Sequence, residues 1–306
     1  MKDIPADDIS RAHARGFRDY LLSQGMAPKT VNLRLAGMVT AYNELKTEGI
    51  MDANPFCKVK AREPETRIEK NKARRPFKKS ELLKVIDGSD ACLIGAEVIA
   101  LNSGGRASEV TNIKIDEFNE VDAILDYFNK KGKKDMNTPV LPEFIAFIKE
   151  LLLHHPNPKD PGAYILWVYG GHPNRAQELG NDFGVVLESV GLRDPNSQPN
   201  TGSGRRRYAL SFHSIRWVVN MACKLSNMPQ TVVQEFIGHK DKQTSEGYDD
   251  VGMAEKRMEL YKAAGKKKLL KQMICREEPY MNIKDIMQVT VYAMRKLRAM
   301  RKATSK

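Results

Sequence analysis

A basic stretch with no regular spacing of apolar residues divides this chain in two. Residues 58–79 carry ten basic and three acidic side chains, and their few apolar residues follow neither a helical nor a strand period. A segment of this composition cannot bury one face against a core, so it connects folded parts instead of forming one. We therefore predict a helical domain over residues 1–57, a linker over 58–79, a larger domain over 80–265 and a basic tail over 266–306.

The positive charge of the chain is concentrated in the linker and the tail. The formal net charge is +12, whereas residues 1–57 are neutral and residues 80–265 carry a net charge of −4. Blocks of lysine and arginine suit a polyanion such as nucleic acid, because contacts to phosphates release condensed counterions. Charge alone leaves a second interpretation open, in which the linker is simply solvated and the tail is disordered.

Apolar residues recur at helical spacing through most of the chain. In the first domain they predict helices over residues 8–24 and from about Thr30 to Gly49. Two β-like runs around a lysine-rich turn with Gly132 predict a hairpin within residues 123–141. The fold class is therefore mainly α with a small β-hairpin or sheet. Further helices are predicted over residues 80–86, 91–102, 142–153, 174–190, 214–226, 230–237 and 283–302.

The sequence lacks the motifs that several classes of protein need. The four cysteines are far apart and form no C-x-x-C pair, which indicates a reduced, intracellular protein. The N-terminus has no apolar run typical of a secretory signal, and no stretch of about 18 apolar residues predicts a membrane span. Without an H-E-x-x-H motif or a glycine-rich Walker loop, we expect no metal, no nucleotide and no other cofactor.

The residues that carry chemistry are concentrated near the end of the larger domain. The segment S-F-H-S-I-R-W…F-I-G-H-K-D-K-Q-T-S-E-G-Y contains His213, Arg216, His239 and Tyr248, and upstream Arg106 follows two glycines. Two arginines, a lysine and two histidines can hold a phosphodiester and neutralise the charge that develops on it. A tyrosine beside them can serve as a covalent nucleophile. The lysine candidates are Lys130, Lys131, Lys133 and Lys134.

Each of these residues has an ordinary structural interpretation when it is taken alone. His213 can cap a helix while Arg216 pairs with an acidic neighbour, and Glu109 can either orient Arg106 or lie on the surface. Most of the ten tyrosines must be structural. The order of the whole set is more specific than its members: an arginine, a lysine hairpin, H-x-x-R, G-H and then a tyrosine.

That order resembles the tyrosine recombinases of the phage integrase family. The resemblance spans about residues 8–260 and includes F-R-D-Y-L-L-S-Q-G-M-A-P-K-T-V-N-L-R-L, which is similar to the family's core-binding domain. It implies that Tyr248 attacks the scissile phosphate, forms a 3′-phosphotyrosyl bond and frees a 5′-hydroxyl. It also implies that Arg106 and Arg216 hold the non-bridging oxygens, and that His213 and His239 donate hydrogen bonds or help to move the tyrosine proton.

The resemblance further implies that one lysine protonates the leaving 5′-oxygen. Counting back from Thr138 favours Lys131, which we choose, whereas counting forward from Arg106 favours Lys130, and Lys134 is a further alternative.

The chain departs from the family at its end. It continues 58 residues past Tyr248, which is longer than many members. In the family a short C-terminal helix docks on a neighbouring protomer, and a helix at about 250–264 is expected to do so here. The basic 283–302 helix is expected to be an additional contact to DNA or to a partner.

The expected function is site-specific DNA recombination that integrates or excises a mobile element. The two domains would form a C-shaped clamp on double-stranded DNA and assemble as a homotetramer on paired sites, with room for accessory DNA-bending proteins. The expected location is the cytoplasm, in association with the nucleoid, of a prokaryotic or viral host cell, without membrane contact. Two alternatives remain, a type IB-like topoisomerase with the same chemistry and a DNA-binding clamp without catalysis.

Overall fold

The computed structural model describes residues 4–62, 75–129, 134–171, 173–194, 208–226, 228–238 and 280–304. These residues form two compact units, a small one that contains residues 4–62 and a larger one that contains the described residues from 75 onward. In the described residues, no helix is long and apolar enough to cross a membrane.

The small unit is built on two helices, α1 (Arg11–Ser23) and α2 (Pro28–Thr47). Ser10 caps α1, since its hydroxyl accepts from the His13 backbone N–H at 3.3 Å. The core includes Ala14, Leu21, Val31, Leu35, Tyr42, Phe56, Val59 and Ala61.

The boundaries of the linker differ from the sequence-based ones at both ends. Asn32 of α2 exchanges two hydrogen bonds with the backbone of Ala61, at 2.7 and 3.1 Å, and Val59 is buried beside it. At the other end Phe77 is 1% exposed in the core of the larger unit. Apolar residues within the predicted linker therefore belong to the two cores, because single buried side chains need no periodic pattern.

The larger unit surrounds one completely buried helix. Its first two helices are α3 (Lys79–Gly88) and α4 (Ala91–Ser103), and every residue of α4 from Cys92 to Ser103 is buried. A helix that is apolar on all sides must lie inside a core. Gly95 permits this packing, since a Cβ there would lie 2.8 Å from the Leu151 side chain. The following helices are α5 (Ala107–Val110), α6 (Pro142–Leu152), α7 (Arg175–Ser189), α8 (His213–Leu225), α9 (Gln230–Ile237) and α10 (Ile283–Thr304).

The sheet is antiparallel, with strands β1 (Phe118–Asn119), β2 (Ile124–Asn129) and β3 (Lys134–Pro139) in that order. Tyr127 pairs with Met136, and Asn129 pairs with Lys134 at the end of the β2–β3 hairpin. Side chains alternate across a strand, so one face is buried and the other is more exposed. The buried face carries Leu125, Tyr127, Met136 and Thr138.

The last helix is part of the core of the larger unit. Ile286, Val289, Ala293 and Leu297 are buried on its inner face, and α10 packs against α3, α4 and α6. The Asn102 side chain of α4 donates to the Thr290 hydroxyl at 3.1 Å in this interface. The sequence placed these residues in a separate basic tail, but the apolar stripe of the helix completes the core.

The fold class predicted from the sequence is confirmed: the unit is mainly helical with a small sheet. The helices and the hairpin predicted between residues 80 and 304 agree with the structure to within two residues at most ends. The predicted helix at about 250–264 lies outside the described residues. The arrangement of the two domains as a C-shaped clamp stays a prediction.

Candidate active site

Arg106 stands at a turn between two helices. α4 ends at Gly104, whose φ of +65° lies in the left-handed region that favours glycine, and Arg106 is then the N-cap residue of α5. Its backbone N–H donates to Glu109 Oε2 at 2.7 Å, and its Nη1 donates to Glu109 Oε1 at 2.7 Å.

The difference in burial between Glu109 and Arg106 explains why the two side chains pair. The Glu109 side chain is 2% exposed, whereas the Arg106 side chain is 22% exposed. A buried carboxylate needs a compensating charge and hydrogen bonds, and Arg106 supplies both. In return Glu109 fixes the direction of the guanidinium, which keeps part of its surface open. From the sequence, Glu109 could either orient Arg106 or lie on the surface. The structure favours the first alternative, since Glu109 is buried and bonded to Arg106.

Arg216 lies in the first turn of α8 and is 1% exposed. Its Nη1 donates to the carbonyl oxygen of Gly104 at 2.5 Å, and its Nη2 donates to the carbonyl oxygen of Ile237 at 2.5 Å. Both carbonyls belong to helix C-terminal ends, those of α4 and α9, where the helix dipole is negative. The two helix ends therefore stabilise the buried cation and fix its plane.

This arrangement brings together three segments that are distant in the sequence. Gly104 comes two residues before Arg106, and Ile237 comes two residues before His239. A Cβ at Gly104 would lie 3.6 Å from the Ile237 side chain and 3.5 Å from Val219 of α8. The ends of α4 and α9 thus meet at the start of α8, with Arg216 between them.

His213 is the first residue of α8 and is half-buried, one turn before Arg216. The turn that contains it is closed by the Ser211 backbone N–H, which donates to the Ser214 hydroxyl oxygen at 3.1 Å. His213 and Arg216 therefore start from neighbouring positions on one helix.

Tyr127 also belongs to this region, although the sequence did not single it out. It is 5% exposed on the inner face of β2. Burial raises the pKa of its phenol to about 12, the Glu109 carboxylate adds to the rise, and the Thr138 side chain and the positive charges of Arg216 and Arg106 oppose it. Strand alternation could have placed Tyr127 on the buried face with Leu125, but not beside these charges.

Three of the six predicted site residues, Arg106, His213 and Arg216, are described by the structure. Lys131, His239 and Tyr248 lie outside the described residues, as do Lys130 and Lys133 among the lysine alternatives. Lys134 is described only through its backbone, which pairs with Asn129. The six assignments stay predictions.

A family model describes most of the chain. The model of the phage integrase family matches residues 68–255. Among curated relatives, the tyrosine recombinase XerC of Lactobacillus delbrueckii subsp. bulgaricus is 25% identical over 262 residues, covering 81% of this chain and 80% of the relative. Tyrosine recombinase XerC of Lactobacillus leichmannii shows the same identity and coverage.

Solved structures share the fold at low sequence identity. A lambda integrase dimer bound to a COC′ core site has a TM-score of 0.62 at 17% identity, covering 82% of this chain and 83% of that one. The Tn1549 transposon integrase in complex with a circular intermediate DNA has a TM-score of 0.62 at 16% identity, with coverage of 83% and 87%. A lambda integrase tetramer bound to a Holliday junction has a TM-score of 0.61 at 17% identity, with coverage of 82% and 67%.

Proposed function

The chain belongs to the phage integrase family, and we propose that it is a site-specific recombinase that cleaves and rejoins double-stranded DNA. The observation that carries this proposal is the meeting of Arg106 and Arg216. Their segments are joined by the hydrogen bond from Arg216 to Gly104, at 2.5 Å. A phosphodiester gains negative charge on its non-bridging oxygens as a nucleophile attacks, and two preorganised guanidinium groups stabilise that charge.

The reaction would proceed in two transfers at one phosphorus atom. The Tyr248 phenolic oxygen attacks, the bond from phosphorus to the 5′-oxygen breaks, and a 3′-phosphotyrosyl bond forms. The tyrosine loses its proton with help from His213 or His239, and Lys131 gives a proton to the leaving 5′-oxygen. A 5′-hydroxyl of a partner strand then attacks the phosphotyrosine and regenerates the tyrosine. Each step exchanges one phosphoester for another, so no step consumes ATP.

Strand exchange between two duplexes requires several active sites. We propose a homotetramer on paired DNA sites, with the lambda integrase tetramer on a Holliday junction as the supporting parallel. The proposed biological role is integration or excision of a mobile element, aided by accessory DNA-bending proteins. The proposed location is the cytoplasm, at the nucleoid of a prokaryotic or viral host cell.

Covalent trapping tests the proposal. A nicked duplex that loses the 5′-hydroxyl fragment after cleavage should leave the protein attached to DNA, visible as a shifted band on a denaturing gel. Sequencing the trapped DNA from a library of duplexes would give the target site.

Two tyrosine variants make the trapping test specific. Tyr248→Phe should abolish attachment while DNA binding persists, whereas Tyr20→Phe, at a position 54% exposed in the small unit, should retain attachment. Attachment by Tyr248→Phe would exclude this nucleophile. Attachment and supercoil relaxation on DNA of any sequence would instead identify a topoisomerase, and binding without attachment would identify a clamp protein.

A further inference from the structure

The small unit ends in a short stretch that carries three exposed cations. Lys58, Lys60 and Arg62, which we call the cationic strip, are exposed, whereas Val59 and Ala61 between them are buried in the core. The preceding residues 4–57 carry equal numbers of basic and acidic side chains. The net positive charge of the small unit's described residues therefore comes from the cationic strip.

Two asparagines fasten this stretch to α2. At one end the Asn54 side chain donates to the Val39 carbonyl oxygen at 2.9 Å and to Asn43 Oδ1 at 2.8 Å. At the other end Asn32 binds the backbone of Ala61 through both of its side-chain atoms, at 2.7 and 3.1 Å. Val39 and Asn32 are seven residues apart on the helix, so the stretch runs back along α2 for about 10 Å. A backbone ordered in advance lowers the cost of binding a ligand to its side chains.

Burial alternates along the strip as it does in an extended segment. The N–H and C=O of Ala61 both face Asn32, which is the arrangement of a paired β residue. With Val59 and Ala61 buried, Lys60 and Arg62 fall on the opposite, exposed side. Their Cα atoms are then about 6.6 Å apart. This separation is of the same order as that between neighbouring phosphorus atoms along one DNA strand.

Lys58 has a backbone conformation that suits glycine better than lysine. Its φ is +59°, in the left-handed region where a Cβ is unfavourable. The turn is closed by the Val59 N–H, which donates to the Phe56 carbonyl oxygen at 3.1 Å. Within the described residues, neither Lys58 nor Lys60 forms an ion pair. Folding of the turn therefore does not account for a lysine here, and strained positions of this kind cluster at functional sites.

We propose that the cationic strip contacts consecutive phosphates of one DNA strand and so fixes the small unit on the duplex. This inference rests on the proposed function, which makes DNA the polyanion that the chain binds. Contacts to phosphates release condensed counterions, and they position a protein on the duplex without reading its sequence.

The experiment measures the affinity of the full chain for DNA at several salt concentrations. It uses two duplexes, the one recovered by covalent trapping and one of scrambled sequence. Each phosphate contact adds about 0.9 to the steepness with which log affinity falls against log salt concentration. We expect Lys60→Ala to lower this steepness by about 0.9 on both duplexes. The control Lys46→Ala, which removes an exposed lysine from the last turn of α2, should retain the steepness of the unmodified protein.

Lys58→Gly separates a DNA contact from a structural role. Glycine relieves the left-handed conformation, so the melting temperature should not fall. The steepness of the salt dependence should nevertheless decrease by about 0.9, because one phosphate contact is lost. A lower melting temperature together with weaker binding would assign Lys58 to the fold of the small unit and overturn its proposed contact.

Three further results would overturn the proposal. An unchanged salt dependence in both strip variants would show that the strip makes no phosphate contact. An equal decrease in Lys46→Ala would show that only net charge matters, and a decrease confined to the recovered duplex would indicate base recognition. Failure of the proposed function is recognised separately, because the unmodified protein would then form no covalent product with any duplex.

Discussion

Two pairs of arginines in the larger unit differ in their partners and in their burial. Arg106 and Arg216 are held inside the site, by the Glu109 carboxylate and by two backbone carbonyls. Arg298 and Arg301 of α10 both reach Glu150 of α6, at 2.8 and 3.2 Å, and their side chains are about half exposed. The first pair lies in the candidate active site, where we propose that it stabilises charge on a phosphate, whereas the second pair fastens one helix to another. The number of arginines in a sequence does not distinguish these uses, but the partners and their burial do.

The largest effect is expected from Arg216→Lys. One ammonium group lacks the flat fork that spans the carbonyls of Gly104 and Ile237, so at least one buried acceptor loses its donor. We expect cleavage to fall about 10²–10³-fold and the free energy of unfolding to fall by about 1–3 kcal/mol. Single-turnover cleavage and urea unfolding measure the two quantities. Arg193→Lys, at an arginine over the Tyr208 ring, should spare cleavage. Full activity of Arg216→Lys would contradict the proposed role.

Arg106→Lys should separate activity from stability. An ammonium group at residue 106 keeps a cation for the buried Glu109 carboxylate, which also keeps the backbone N–H of residue 106 as a donor at 2.7 Å, but it lacks the flat fork of arginine. Cleavage is expected to fall about 10²–10³-fold, with a smaller loss of unfolding free energy than in Arg216→Lys. The same two assays apply. If Arg106→Lys loses as much unfolding free energy as Arg216→Lys, the contrast between the two arginines is wrong.

The α10 pair should show the reverse pattern. Replacing Arg298 and Arg301 together by alanine leaves the Glu150 carboxylate, which is 6% exposed, without these cations. Allowing for solvent screening of the half-exposed guanidiniums, we expect a loss of about 1–2 kcal/mol in unfolding free energy. Cleavage at a temperature where the variant is folded should be within about threefold of the unmodified protein. A selective loss of DNA affinity would instead support the sequence-based expectation that this helix contacts DNA.

The smallest effect on cleavage is expected at a buried acid, Glu97 of α4, which lies outside the candidate site and affects stability instead. Burial raises the pKa of its carboxyl to about 8, and Ser89 lies 2.7 Å away. Between its ordinary pKa of 4.5 and about 8, the folded state keeps a proton that the unfolded state releases. The free energy of unfolding should therefore fall as pH rises through this window. Glu97→Gln should remove that part of the slope in urea unfolding at about pH 5 and about pH 8. The same pH dependence of the unfolding free energy in the unmodified protein and in Glu97→Gln would contradict this prediction.

The helices were predictable because their apolar periodicity is local. α4 reads as a mostly apolar segment, interrupted by Glu97, that ends just before two glycines, and α10 shows a clear stripe that includes Ile286 and Leu297. The sequence also supplied the hairpin, since β-like runs flank a lysine-rich turn. It failed at the linker and the tail, because the partners of Val59, Phe77 and α10 are distant in the chain.

The sequence could propose candidate residues for the site but not their arrangement. Spacing proposed Arg106, His213 and Arg216, and the order of the motifs indicated the family. It did not identify the carbonyls that hold Arg216, since any residue can supply a carbonyl. Nor did it single out Tyr127, one of ten tyrosines in the chain.

The sequence by itself determined the helices, the hairpin and the types of residue available for phosphoryl chemistry, because these depend on composition and short-range spacing. The tertiary structure decided which arginines meet in the candidate site and which fasten α10. That decision depends on burial and on the ends of α4 and α9, which meet at Arg216 only when the chain is folded.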